Sequence, residues 1–319
     1  MTGACRERTM NELGEVSSRR FGSYSLVRKL GEGGMAEVYL ASGLDARGEL
    51  MPVALKVMKP FSSGDLDAAD LFATEADVMS LLRHPNLVQL YEVGKHAGRL
   101  FLAIEYLPGG DLETLSAALR RQNRPFPPSI ALQIGIDLLK GLAYVHQAQG
   151  VTGTSLNLVH GDINPSNIFL GLEPGRAKLG DFGVVSSDVL GGGLPEGVAA
   201  GKLHYLSPEQ VAGKPLSPAS DIFAVGVVMF ELLLGMRPFD GRDQAEILER
   251  ITAGRFEHPG NLSRHMAEIF DRALARNPKS RFPSAGAFAG ELLRYQLDSD
   301  LQLREEDFSL FVQEVIGQL

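Results

Sequence analysis

Cysteine is nearly missing from this chain: among 319 residues only Cys5 carries a thiol. An intramolecular disulfide and a thiolate zinc site are therefore excluded. The seven histidines are scattered without ligand spacing. This usage fits a reducing compartment, and a cytoplasmic location is the expectation. Long apolar runs are missing as well. The longest, Ile222 to Phe230, stops at Glu231, far short of the ~20 residues that cross a bilayer, so membrane insertion is not expected. A basic excess is also missing: 31 Lys and Arg stand against 39 Asp and Glu, for a net charge of −8. That balance argues against a nucleic-acid surface. Residues 1–22 carry Arg6, Arg8, Arg19 and Arg20 but no apolar stretch, so they read as a flexible leader rather than a signal peptide.

The chain does have ample material for a core, with 44% hydrophobic and 22% charged residues. From Tyr24 it alternates in short segments. Ser25–Leu30 and Ala36–Ala41 flank a glycine cluster, and Val53–Met58 follows, which predicts strand, loop, strand and strand. Helical spacing predicts a helix over 67–82, halted by His84-Pro85-Asn86. Strands are predicted over Leu87–Tyr91 and Leu100–Ile104. Beyond Pro108-Gly109-Gly110 the pattern becomes mainly helical, over 112–121, 130–147, 219–234, 244–253, 266–276 and 285–297. A strand-rich first third and a helix-rich remainder predict two unlike lobes, 23–106 and 107–297, in an α+β fold. Phe308, Phe311, Val312, Val315 and Ile316 recur at helical spacing in the tail, 298–319, and predict a final helix packed on the domain.

Four stretches carry chemistry. Gly31-Glu32-Gly33-Gly34 lies between two predicted strands, where glycines let backbone N–H groups approach a phosphate chain. A Rossmann loop would open a helix instead, and a Walker loop would continue into Gly-Lys-Ser/Thr. Lys56 stands on the next strand and Glu75 in the following helix, a pairing suited to gripping phosphates. His160-Gly161-Asp162-Ile163-Asn164-Pro165-Ser166-Asn167 is followed by Asp181-Phe182-Gly183. Phosphoryl transfer needs a carboxylate to take the hydroxyl proton, for which Asp162 is suited. It also needs hard oxygen ligands for Mg²⁺, for which Asn167 and Asp181 are suited.

In order and spacing these motifs resemble the eukaryotic-type serine/threonine protein kinases, in a style closer to bacterial members than to animal ones. The resemblance covers about Tyr24 to Leu297 and includes Gly201-Lys202 through Ser207-Pro208-Glu209, then Asp221 and Arg281. It implies a bilobal kinase fold, ATP and Mg²⁺ as cofactors, and protein substrates with Ser or Thr acceptors. By the same resemblance Glu105 and Leu107 would offer backbone groups to adenine, and Val38, Ala54 and Phe169 would sandwich its ring. Glu209 and Arg281 would form an ion pair anchoring the activation segment.

The chain departs from the family at two catalytic positions. Gly161 replaces the arginine that usually binds a loop phosphate. With only Ser186 and Ser187 early in the segment that follows, activity without loop phosphorylation is expected. Asn164 replaces the lysine that usually neutralises the γ-phosphate. Lys202 stands where a threonine is usual and is expected either to supply that charge from the opposite wall or to remain a solvated cation. The leading expectation is an active serine/threonine kinase. A pseudokinase acting as an ATP-binding scaffold is the alternative, and a small-molecule kinase is disfavoured by the complete Ser207-Pro208-Glu209 segment. Input would come through the domain, the termini or a regulatory partner protein.

Overall fold

Alternation along β-rich segments dictates which side chains share a face, and in this chain it sorts Lys56 onto a helix-covered side. The computed structural model describes residues 19–45, 47–60, 66–150, 152–182, 185–186 and 201–317. Backbone contacts divide it into two units, one running to Arg83 and including Val88–Pro108, the other comprising His84–Leu87 and everything from Gly109.

The first unit is an antiparallel sheet of β1 (Arg19–Phe21), β2 (Tyr24–Glu32), β3 (Ala36–Leu44), β4 (Leu50–Met58), β5 (Leu90–His96) and β6 (Arg99–Glu105), with helix α1 (Leu66–Leu81). The strand order is β1-β2-β3-β4-β6-β5. On β4, Val53, Leu55 and Val57 point to one face and pack with Tyr24, Ala41, Phe101 and Ala103. The opposite face carries Met58, which packs with Ala36, Leu102 and, from α1, Phe72 and Ala76. Period-two geometry therefore puts Lys56 on the α1 side, across from Val38 and Leu102 in register.

Three boundaries differ from the sequence expectations. Arg19–Phe21, within the expected leader, forms a strand because Phe21 packs edge-on against His96 and Phe101, at 4.9 and 5.7 Å between ring centres. Residues 1–18, Ser187 and Gly191-Gly192-Gly193 lie outside the described residues. The strand expected from Leu87 begins at Leu90, because Leu87 makes an isolated parallel bridge to Leu179 instead. Asn86 reinforces that bridge, accepting from Leu179 N–H at 2.9 Å and donating through Nδ2 to Ala177 O at 3.0 Å. Residues 84–87 thus belong with the second unit. The division itself falls after Pro108 rather than Tyr106, because Gly109 lies flat on the strand Ile168–Leu172: its N–H donates to Leu170 O at 3.1 Å, and a Cβ there would meet that oxygen at 2.2 Å.

The second unit contains helices α2 (Leu112–Arg121), α3 (Pro128–His146), α4 (Pro208–Val211), α5 (Pro218–Leu234), α6 (Gln244–Ala253), α7 (Arg264–Ala273), α8 (Ala285–Asp298) and α9 (Glu305–Ile316). Helix α5 is mostly apolar and enclosed, as a helix at the centre of a domain is: every residue from Ser220 to Phe230 is buried, the polar Ser220 and Asp221 included. Two small antiparallel pairs escaped the sequence reading. One joins β7 (Leu158–Val159) to β10 (Val185–Ser186); the other is the hairpin of β8 (Ile168–Leu172) and β9 (Gly175–Leu179). Pairs this short lack the length over which alternation shows.

Arg281 forms a buried charge contact in this unit. Its guanidinium holds both carboxylate oxygens of Glu209, at 2.7 and 2.8 Å, and donates to the carbonyls of Ala219 and Ala275. Ser220 Oγ adds a bond to Glu209 at 2.7 Å, and the guanidinium lies 4.8 Å from the Phe223 ring centre. Helix α9 buries Phe308, Val312 and Val315, spaced i, i+4 and i+7, and Ser309 Oγ donates to Leu172 O at 2.6 Å. Among the described residues no helix is long and apolar enough to cross a membrane.

Candidate active site

In the first unit the glycine residues cap the β2–β3 hairpin. Gly31 and Glu32 end β2 opposite Val38 and Glu37, and Gly33 N–H closes the turn on Ala36 O at 2.9 Å. Gly34 lies within the same turn, with nothing near the place a Cβ would take. Glu32 is tied to Lys29 and Lys59, so its carboxylate braces the loop. Lys56 Nζ donates to both oxygens of Glu75, at 2.8 and 2.9 Å, and Glu75 is only 7% exposed. The pair fixes an ammonium whose flexible stem would otherwise sweep a wide volume. Ala54 and Leu107 are buried, and Val38 is half-buried. Glu105 N–H donates to Gln89 O at 2.8 Å, so that backbone group is already engaged.

In the second unit the residues of the 160–167 loop converge on one carboxylate. Asp162 Oδ1 accepts from Asn164 Nδ2 at 2.9 Å. Its Oδ2 accepts from Asn167 Nδ2 at 2.9 Å and from Lys202 Nζ at 2.6 Å. Asn164 is itself locked, because its Oδ1 accepts from Ser166 N–H and from Ser166 Oγ, at 3.1 and 2.6 Å. Asp162 is therefore aimed by two amides and one ammonium, while 40% of its side chain stays open to solvent. Lys202 is paired with Asp162 while 36% of its own side chain stays exposed.

The backbone beneath Asp162 is anchored to α5. Asp221 accepts from the N–H groups of His160 and Gly161, both at 2.9 Å, and from His146 Nε2 at 2.8 Å. Burial works to raise the Asp221 carboxyl, but these hydrogen bonds outweigh it and hold it below the ordinary carboxylate range. Gly161 has φ +74, in the left-handed region where a Cβ is disfavoured. Its carbonyl accepts from Gln210 Nε2 at 2.7 Å.

The β8–β9 hairpin brings the two metal candidates together. Asn167 immediately precedes Ile168, which pairs with Leu179, and Gly180 N–H donates to Asn167 O at 3.0 Å. Asp181 follows at φ +58, with Phe182 buried 5.0 Å from the His160 ring. Asn167 commits its amide N–H groups to Asp162, and its Oδ1, which accepts from Ser166 Oγ at 3.4 Å, is the candidate cation ligand. Among the described residues no three His, Cys, Asp or Glu cluster as a metal cage. One amide oxygen and one carboxylate fit Mg²⁺, which takes few protein ligands and completes its shell with phosphate and water. Phe169, one residue into β8, is half-buried opposite Lys178.

Sequence reasoning missed Ser166 and Gln210. Ser166 lies inside the recognised motif, where a small hydroxyl beside Asn164 is the only signal. Gln210 acts on Gly161 across 49 positions of sequence, and no local pattern announces such a partner.

Comparison with known proteins places these motifs in a family. The description "Protein kinase domain" matches residues 24–293. The chain is 37% identical over 276 residues to tyrosine-protein kinase MasK of Myxococcus xanthus, covering 85% of this chain and 43% of MasK. It is 31% identical over 299 residues to serine/threonine-protein kinase PrkC of Bacillus subtilis, covering 92% and 43%. It is 35% identical over 282 residues to serine/threonine-protein kinase PknJ of Mycobacterium tuberculosis, covering 84% and 44%. The chain thus spans less than half the length of these relatives. With the matched domain covering most of its length, and with the motifs in place within each unit, the chain belongs to the protein kinase family, whose members use ATP and Mg²⁺.

Proposed function

We propose that this chain transfers the γ-phosphoryl group of ATP to serine or threonine hydroxyls of cytoplasmic proteins. The observation that carries the reading is the set of groups on Asp162: Asn164, Asn167 and Lys202 all hold its carboxylate. A carboxylate so fixed can accept the hydroxyl proton as the acceptor oxygen bonds to the γ-phosphorus and the bond to the bridging oxygen of ADP breaks. Mg²⁺, held by Asn167 and Asp181, would neutralise phosphate charge. Lys56, fixed by Glu75, would grip the α- and β-phosphates, and the glycine turn would cover them. Val38, Ala54, Leu107 and Phe169 would line the purine, with the Glu105 backbone beside it. The retention of all these groups argues against a pseudokinase scaffold.

Lys202 would supply the cation that Asn164 lacks. Lys202→Met is expected to lower kcat about 10–100-fold, since catalysis here is positioning and electrostatics, while leaving the KM for ATP nearly unchanged. Steady-state kinetics check this, and near-normal kcat would return Lys202 to a surface role.

Transfer to tyrosine is the second reading, favoured by the similarity to the tyrosine-protein kinase MasK. Radiolabelled γ-phosphate transfer to a mixed protein substrate, with Asp181→Asn as control, followed by phosphoamino-acid analysis, separates the two. Label on Ser or Thr is expected. Label confined to Tyr would overturn the acceptor assignment, and no label despite ATP binding would point to the scaffold.

A further inference from the structure

Gln210 belongs to a residue type usually exposed, yet it is 8% exposed and bonds in two directions. Its Oε1 accepts from Ser207 N–H at 2.9 Å and from Ser207 Oγ at 3.1 Å, closing a capping box on α4. Its Nε2 donates to the Gly161 carbonyl at 2.7 Å. The cap alone accounts for the oxygen but not for the nitrogen.

The nitrogen's target is the peptide that sets Asp162. That peptide has the Gly161 carbonyl at one end and the Asp162 N–H at the other. The N–H donates to His160 Nδ1 at 3.3 Å, a long bond, whereas the carbonyl is held by Gln210 at 2.7 Å. Asp221 secures the preceding N–H of Gly161, on the other side of its Cα. Rotation about Gly161 ψ would turn the peptide plane and swing the Asp162 carboxylate with it. Glycine opposes such rotation less than any other residue; Asn164 and Asn167 hold the Asp162 carbonyl and carboxylate from within the loop, and Gln210 adds the restraint on the Gly161 carbonyl from outside it.

We propose that Gln210 is a positioning residue, which fixes the Gly161–Asp162 peptide plane and so ties the setting of Asp162 to the segment that carries Ser207 and Glu209. As far as turnover is concerned this rests on the kinase reading. Its physical content is that a properly seated 207–211 segment and a properly aimed Asp162 are one state. In a chain with glycine in place of the usual arginine, the restraint comes from a neutral amide rather than from a phosphate-dependent cation.

A crossed pair of substitutions tests it. Gln210→Glu keeps the acceptor for Ser207 but presents an oxygen to the Gly161 carbonyl. Gln210→Lys keeps a donor for that carbonyl but loses the acceptor. The Glu variant is expected to lose about 10–100-fold in kcat, as misplacement of a reacting group by an ångström does. Its KM for ATP is expected within about 2-fold of wild type, as befits loss of an interaction acting in the chemical step. Amide hydrogen exchange over residues 160–164 is expected to quicken in the Glu variant and to stay near wild type in the Lys variant. A pure cap role predicts the opposite order in both readouts and would overturn the proposal, as would a Glu variant indistinguishable from wild type. If one of the pair fails to fold by circular dichroism, Gln210→Met, which has neither group, serves as its comparator. A wild type that transfers no phosphate would sink the kinase reading, while the exchange measurement would still decide for or against Gln210.

Discussion

Asp162→Asn is expected to lower kcat about 10²–10⁴-fold, the usual share of a positioned general base, with ATP affinity little changed. The substitution preserves shape and removes the proton acceptor, and it acts on more than one neighbour. Lys202 Nζ, now 2.6 Å from a carboxylate oxygen, would face a neutral amide. Asn164 and Asn167 each donate to one carboxylate oxygen, and an amide at position 162 can accept from only one of them through its single oxygen. Stopped-flow nucleotide binding alongside single-turnover transfer separates the two effects. A kcat within about 10-fold of wild type would remove Asp162 from the role of base, since so small a loss is below what general-base removal costs.

Arg281→Met is expected to destabilise the second unit by about 3–5 kcal/mol, the cost of leaving a buried carboxylate without its counter-ion. Arg281 is 3% exposed and Glu209 7%, so water cannot replace the lost charge. The carbonyls of Ala219 and Ala275 would lose their donor as well. Urea unfolding followed by circular dichroism measures the loss, and a change below about 1 kcal/mol would place the pair among exposed bridges of little worth. The pair also sets an acid limb. Burial works to raise the Glu209 carboxyl above its ordinary 4.5, but the Arg281 hydrogen bonds outweigh it and the net displacement is downward. A depressed carboxyl stabilises the folded state above its unfolded value and loses that contribution as pH falls through the folded one. Glu209→Gln is expected to flatten the acid side of the stability curve below that ordinary value.

The first unit was legible because its strands are long enough for alternation to show, as Val53, Leu55 and Val57 do on β4. Lys56 and Glu75 could be singled out for the same reason, each sitting at a countable place in a regular element. Leu87 was misread because its partner, Leu179, lies in another part of the chain, and no local pattern distinguishes a bridge from a strand. In the catalytic loop the residue types disclosed the chemistry, and the resemblance assigned the roles. What the sequence withheld was bonding across distance: Ser166 on Asn164 is local yet ambiguous, and Gln210 on Gly161 has no periodicity to betray it.

The β8–β9 hairpin has a bearing on how freely this site can vary. Asn167 and Asp181 sit at its two open ends, and the ladder from Ile168↔Leu179 to Leu172↔Gly175 stands between them and the turn. Strand spacing in such a ladder is about 5 Å whatever lies at the far end. The hairpin therefore works as a gauge: chain length added at the turn leaves the two jaws at the same opening, whereas a single residue slipped between the strands would rotate one jaw to the other face.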